Sequence, residues 1–209
     1  MASTTSDMPL SGGHAALDFV NTVDSRRGRW GPDLLGSLGD LVVLAERLGL
    51  VDPLEGEHLK CVAAADTQDA GIVLLEAVNL REAAYGVFEA EDRGGVALTS
   101  QLRVLEQAAR KARAREVLKM TPEGLRWKLP LEERRDIVDL FALEVVELLI
   151  DASVRRPVRE CKGDNCGWLF LDRSKGGRRI WCSEASCGTR ERSKRLRSRR
   201  NQDQGKSTR

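Results

Sequence analysis

The stretch CKGDNCGWLFLDRSKGGRRIWCSEASC, from Cys161 to Cys187, holds four of the chain's five cysteines. They form two equal knuckles, Cys161-x4-Cys166 and Cys182-x4-Cys187, separated by fifteen residues, enough for one hairpin. Four thiolates so paired can close a tetrahedron around zinc with no open position, which predicts a structural metal rather than a catalytic one. Iron is also allowed by four thiolates, and redox use of the cysteines is a further alternative. Between the knuckles, Trp168 to Leu171 reads as a strand, Asp172 to Gly177 as a turn, and Arg178 to Trp181 as the returning strand. Trp168, Phe170 and Trp181 read as packing around the metal or as stacking surfaces for exposed bases.

Immediately after the second knuckle comes GTRERSKRLRSRR, free of glycine and proline beyond Gly188, so a helix is expected from Thr189 to about Arg200. Knuckle, hairpin, knuckle, helix is the order of a treble-clef-like zinc finger. The helix bears Arg190, Arg192, Lys194, Arg195, Arg197, Arg199 and Arg200 against the single acid Glu191. Phosphates would neutralise such a surface, so these residues, with Arg178 and Arg179 of the hairpin, are the candidate nucleic-acid contacts. The bland alternative is a frayed basic tail.

Arg155-Arg156-Pro157 marks a boundary, because proline cannot continue a preceding helix and the charge changes sign there. Before Arg155 the chain has 17 basic and 26 acidic residues, and from Arg155 onward 17 and 6, giving −9 and +11. A near-neutral 209-residue chain thus divides into an acidic body and a basic module that suits a polyanion.

The body reads as mainly helical. Ser37 followed by Asp40, then Leu41, Leu44, Ala45 and Leu48 before Gly49, predicts a capped helix. Weaker or longer helices follow around Leu59, over Asp69 to Glu91, over Leu98 to Arg115 and over Leu131 to Asp151. Leu125, Trp127 and Leu129 alternate with Arg126 and Lys128 after Thr-Pro-Glu-Gly, which predicts a β-hairpin within Val117 to Leu129. Cys61 reads as a small core hydrophobe. The segment ALDFVNTV, within Ala15 to Val23, is a first helix or a short strand with Asp18 and Asn21 embedded in it. Those two are candidate ligand-binding residues, or else a satisfied cap or turn former.

The expected organisation is a flexible leader over 1–13, an α-rich body with a small β element over 14–154 that folds alone, a zinc finger over 155–200, and a polar tail over 201–209. The start MASTTSDMPLSGG lacks a charged end followed by an apolar stretch, and the apolar runs are too short to span a membrane. Clustered cysteines without a secretory address point to reduced thiols and a cytoplasmic protein.

The segment CGWLFLDRSKGGRRIWCSEASCGTR resembles the CGNR zinc-finger domain, whose signature stands here as Cys187-Gly188-Thr189-Arg190, with Thr in place of the family's Asn. The resemblance carries over the four cysteines as ligands of one structural zinc, and Arg190. If the family's Asn caps the helix, Thr189 substitutes with modest loss. Residues from about Leu10 to Ala152 resemble the ABATE domain, through ALDFVNT, the Leu38-to-Leu50 helix and Leu80-Arg81-Glu82. Proteins of this pairing are described as stress-induced transcription regulators. The resemblance implies a zinc-dependent, DNA-binding transcription regulator whose body senses a small-molecule effector or mediates homodimerisation. The alternative is a finger that binds RNA or protein without sequence-specific DNA contacts. An enzyme has little support, since His14 and His58 lie beside no nucleophile motif and no phosphate-binding glycine loop occurs.

Overall fold

The computed structural model describes residues 4–28, 31–65, 67–122 and 124–207, with the side chains of 67 and 200–207 outside the description. Seven helices and two short antiparallel sheets follow one another among these residues. ALDFVNTV settles as helix α1 (Ala15–Val20), whose N-terminal N–H of Ala16 is accepted by the His14 Nδ1. Helix α2 (Leu38–Leu48) starts in the expected capping box, Ser37 and Asp40 bonding reciprocally, and stops at Gly49 in a left-handed conformation. Helix α3 (Pro53–Ala64) uses the same device with Asp52 and Glu55. Cys61 on α3 is exposed, correcting its reading as a core residue, because only Gly56 and Leu59 of that helix are buried.

Helices α4 (Thr67–Asp92), α5 (Thr99–Arg115) and α6 (Asp136–Ile150) complete the body. Phe19 of α1 stacks on Phe141 of α6 with ring centroids 4.7 Å apart, and Leu41, Leu44, Leu80 and Phe88 pack in the same cluster. Between α5 and α6 the predicted hairpin forms as β1 (Val117–Thr121) and β2 (Gly124–Lys128), with Leu118 opposite Trp127 and Met120 opposite Leu125.

Three expectations about organisation change. The leader is not free over its described part. Met8 and Thr5 are buried, Arg47 donates to the Thr5 carbonyl, and the Leu171 N–H donates to the Gly12 carbonyl. Residues 1–3 lie outside the description. The strand that pairs with β4 (Leu169–Leu171) is β3 (Val158–Glu160), not the segment 178–181. Cys161 and Cys166 therefore sit in the loop of the hairpin, while the return segment is tied on by the Asp172 carboxylate, which accepts from the Arg179 N–H, and by the Lys162 N–H donating to the Ile180 carbonyl. The third change concerns the boundary. Val158, Trp168 to Leu171 and the four cysteines belong to the same continuous apolar cluster as α1, α2, α4 and α6. The body and the finger share a core.

The last helix, α7 (Thr189–Ser207), runs past Arg200, so the expected polar tail is helical as far as Ser207. No helix among the described residues is long and apolar enough to cross a membrane.

Candidate metal centre and basic helix

The four cysteine Sγ atoms lie within 4.8 Å of one another and all four residues are buried. Sulfurs placed about 2.3 Å from zinc at the corners of a tetrahedron are roughly 3.8 Å apart. The Cys166–Cys182 and Cys182–Cys187 separations are 3.6 and 3.7 Å, far beyond a disulfide and close to that edge. The donor set fits a four-coordinate zinc.

Electrostatics point the same way. Hydrogen bonds from Cys161, Cys166 and Cys182 hold the Cys187 thiol far below its ordinary value, with the Arg190 charge helping. The same crowding, beginning with Cys161, pushes Cys166 up. Four thiols so close cannot all ionise together unless a cation joins them, and a divalent metal is the ordinary answer.

Backbone geometry builds the cage. In the first knuckle the Cys166 N–H donates to the Gly163 carbonyl and the Cys161 N–H to that of Trp168. A Cβ on Gly163 would meet Cys166 Cβ at 3.3 Å and Cys187 Sγ at 3.4 Å. Gly167 has φ +75°, and a Cβ there would lie 3.1 Å from side-chain carbons of both Arg26 and Arg27, so this position requires glycine. The second knuckle is a π-helical turn, Glu184–Gly188, capped by the Ser183 side chain and continuous with α7. Helical structure thus begins five residues before Thr189. Thr189 is no N-cap; its hydroxyl donates to the Glu184 carbonyl and accepts from Arg192.

The finger is fastened to the body by side chains whose partners lie far away in sequence. Asn21, fully buried, accepts the Leu169 N–H and donates to the Leu169 carbonyl, both at 2.8 Å. The Trp168 indole donates to the Val23 carbonyl, and the Tyr85 hydroxyl to that of Gly167. Arg81, 1% exposed, forks onto Asp33 at 2.7 Å and bonds Glu82, which also receives Arg26. Burial works against ionised Asp33 and Glu82, yet the guanidinium partners hold both carboxyls below their ordinary values. Arg26 in turn covers the Tyr85 ring at 4.0 Å, and its N–H donates to the Cys166 carbonyl. Arg27 pairs with Glu160 of β3.

These contacts place the candidate residues. Asn21 is a clasp on β4, and buried Asp18 accepts the Gly12 N–H at 2.8 Å. Neither lines the cavity beside the metal centre, whose walls include Asp24, Ser25, Pro32, Trp168 and Arg190. Arg179 bonds the carbonyls of Trp181 and Cys182 and lies over the Phe170 ring, a structural position rather than a free contact. Trp168 and Phe170 are buried, which removes them as base-stacking surfaces, whereas Trp181 is half-buried against the core. Arg178, Arg190, Arg192, Lys194, Arg195, Arg197 and Arg199 are exposed; the side chain of Arg200 lies outside the description. Lys194 pairs with Asp164 of the first knuckle, Arg192 with Glu184, and the Arg190 guanidinium approaches Cys187 Sγ at 3.7 Å. Arg81, Arg26 and Tyr85 had no separate site signal in the sequence beyond Arg81 and Glu82 standing in the Leu80-Arg81-Glu82 match.

A helical body closed over a four-cysteine zinc finger defines the class. The CGNR zinc-finger family matches residues 157–200, and the ABATE family, described as "Putative stress-induced transcription regulator", matches residues 13–152. The chain belongs to the ABATE family and carries a CGNR zinc finger. No curated protein searched matches the chain.

Proposed function

We propose that this protein is a zinc-dependent, DNA-binding transcription regulator of the cytoplasm, in which α7 contacts duplex DNA and the acidic body regulates it. The observation that carries this reading is the continuity of α7 with the second knuckle: a row of exposed cations starts within three residues of a metal ligand, Cys187. Four buried cysteines hold the zinc, and the metal fixes where the helix starts and the direction in which it leaves. Its 19 residues extend roughly 28 Å, long enough to follow a major groove about 12 Å wide. The −9 body and the +11 finger orient the molecule, since phosphates attract one end and repel the other. Burial of Trp168 and Phe170 favours a duplex over a single strand, which is bound largely by stacking on aromatic side chains.

If about five cations of α7 touch phosphates, the logarithm of the binding constant falls with the logarithm of salt with a slope of roughly −4 to −5. Replacing Arg195, Arg197, Arg199 and Arg200 with Ala should flatten that slope and weaken binding to all duplexes alike, measured by fluorescence anisotropy across a salt series. Unchanged affinity and slope would show α7 to be a solvated helix and give the lead to an RNA- or protein-binding finger. Binding mapped across the genome then identifies the operator.

A further inference from the structure

The β1–β2 hairpin is built like half of something. Alternate residues of a strand share a face, and directly opposed residues share it across the pair. The register therefore puts Leu118, Met120, Leu125 and Trp127 on one face and Lys119, Arg126 and Lys128 on the other. Both faces are uncovered, and the four side chains of the all-apolar one are 50, 77, 54 and 63% exposed. None of the described hairpin residues is buried, and a two-stranded ribbon is marginal by itself in water.

We propose that this face is where two copies of the chain meet. Its four side chains expose on the order of 450 Å² of apolar surface, as large as the biggest patch on a typical monomer, and include a tryptophan. Two such faces together bury roughly 900 Å², and the strand backbones around them bring the total to the approximately 1,000 Å² that a specific interface needs. The composition suits a copy of itself better than a foreign surface. Across a two-fold axis each residue meets the same set of four, with no charge to desolvate and no hydrogen-bonding group on the face except the Trp127 indole at its edge. Lys119, Arg126 and Lys128 then point away from the partner on the outer sides, where water screens them. An acidic partner would instead be expected to use that basic side. Trp127 is the natural anchor and Met120 the adaptable filler. The inference stands without DNA binding and is tested in its absence.

Sedimentation velocity on the full-length zinc-loaded protein, over a concentration series, is the test. The wild type should be in monomer–dimer equilibrium, and Met120→Lys, at the most exposed position of the face, should raise the dissociation constant about tenfold or more. Trp127→Glu should do the same, with circular dichroism and zinc content unchanged in both. Lys119→Glu with Lys128→Glu, on the opposite face, should leave the dimer intact. A wild type that stays monomeric at every concentration overturns the proposal and leaves the face to another macromolecule. Dimers that survive both face substitutions, or that dissociate equally with the opposite-face pair, also overturn it, because the contact then lies elsewhere.

Discussion

Asp18 is a carboxylate placed where water does not reach, and burial pushes its pKa up to about 6 although the Gly12 N–H donates to it. The folded value lies above the unfolded one, so the fold prefers the protonated form. Its favourable contribution is complete below about pH 4 and is lost as pH rises through about 6. Asp18→Asn keeps an oxygen for the Gly12 N–H and never ionises. The variant should therefore be more stable than the wild type near pH 8 by about 2–3 kcal/mol, with the gap closing as pH falls toward 4–5. Urea unfolding of both proteins at matched pH and zinc content measures this. A gap that widens in acid would show that ionised Asp18 is stabilised, by Arg47 or another cation.

Among elements, α1 and β4 show what a sequence does and does not disclose. Asn21 holds Leu169 with both ends of its amide, so Asn21→Asp preserves shape and the acceptor but sets an oxygen against the Leu169 carbonyl. The substitution should cost about 2–4 kcal/mol, since a buried carbonyl loses its donor and a charge is left in an apolar cluster. Urea melts monitored by circular dichroism should show it, and a loss below about 1 kcal/mol would mean that water reaches the clasp. ALDFVNTV announces Asn21 as a polar residue among apolar ones, but its partner is 148 positions away, and nothing local distinguishes a clasp from a ligand contact. Signals with local causes were legible: the capping box at Ser37, the β1–β2 turn, and the equal knuckles that set the zinc site. The pairing of β4 was not. Arg178 to Trp181 has strand composition, and the choice of Val158 to Glu160 instead follows from Asp172 and Arg179, whose bonds hold the return segment outside the ladder.

For the molecule as a whole, the charge reversal at Arg155 and the family limits at 152 and 157 mark a sequence boundary that the packing does not respect. A linear reading expects the body to fold alone because its helices are amphipathic, yet amphipathicity does not say which element covers each apolar face. Here β3, β4 and the first knuckle complete the core, and Asn21, Tyr85, Arg26 and Arg27 lose buried partners if they are removed. A chain ending at Val154 should therefore aggregate or melt without a cooperative transition. The stronger test keeps the full length of the chain and removes the metal. Cys182→Ser opens the four-sulfur cage, and because the finger shares the core, the loss must reach α1 and α4. Thermal unfolding followed by far-ultraviolet circular dichroism, which reads the helices, and by tryptophan fluorescence, which includes Trp168, should give one coincident transition in the wild type, and in Cys182→Ser both signals should move down by several degrees together. Chelation of the wild-type zinc should reproduce the shift. Two separate transitions, with the helical one indifferent to metal, would restore the body as an independent unit and limit the zinc to ordering the finger and α7.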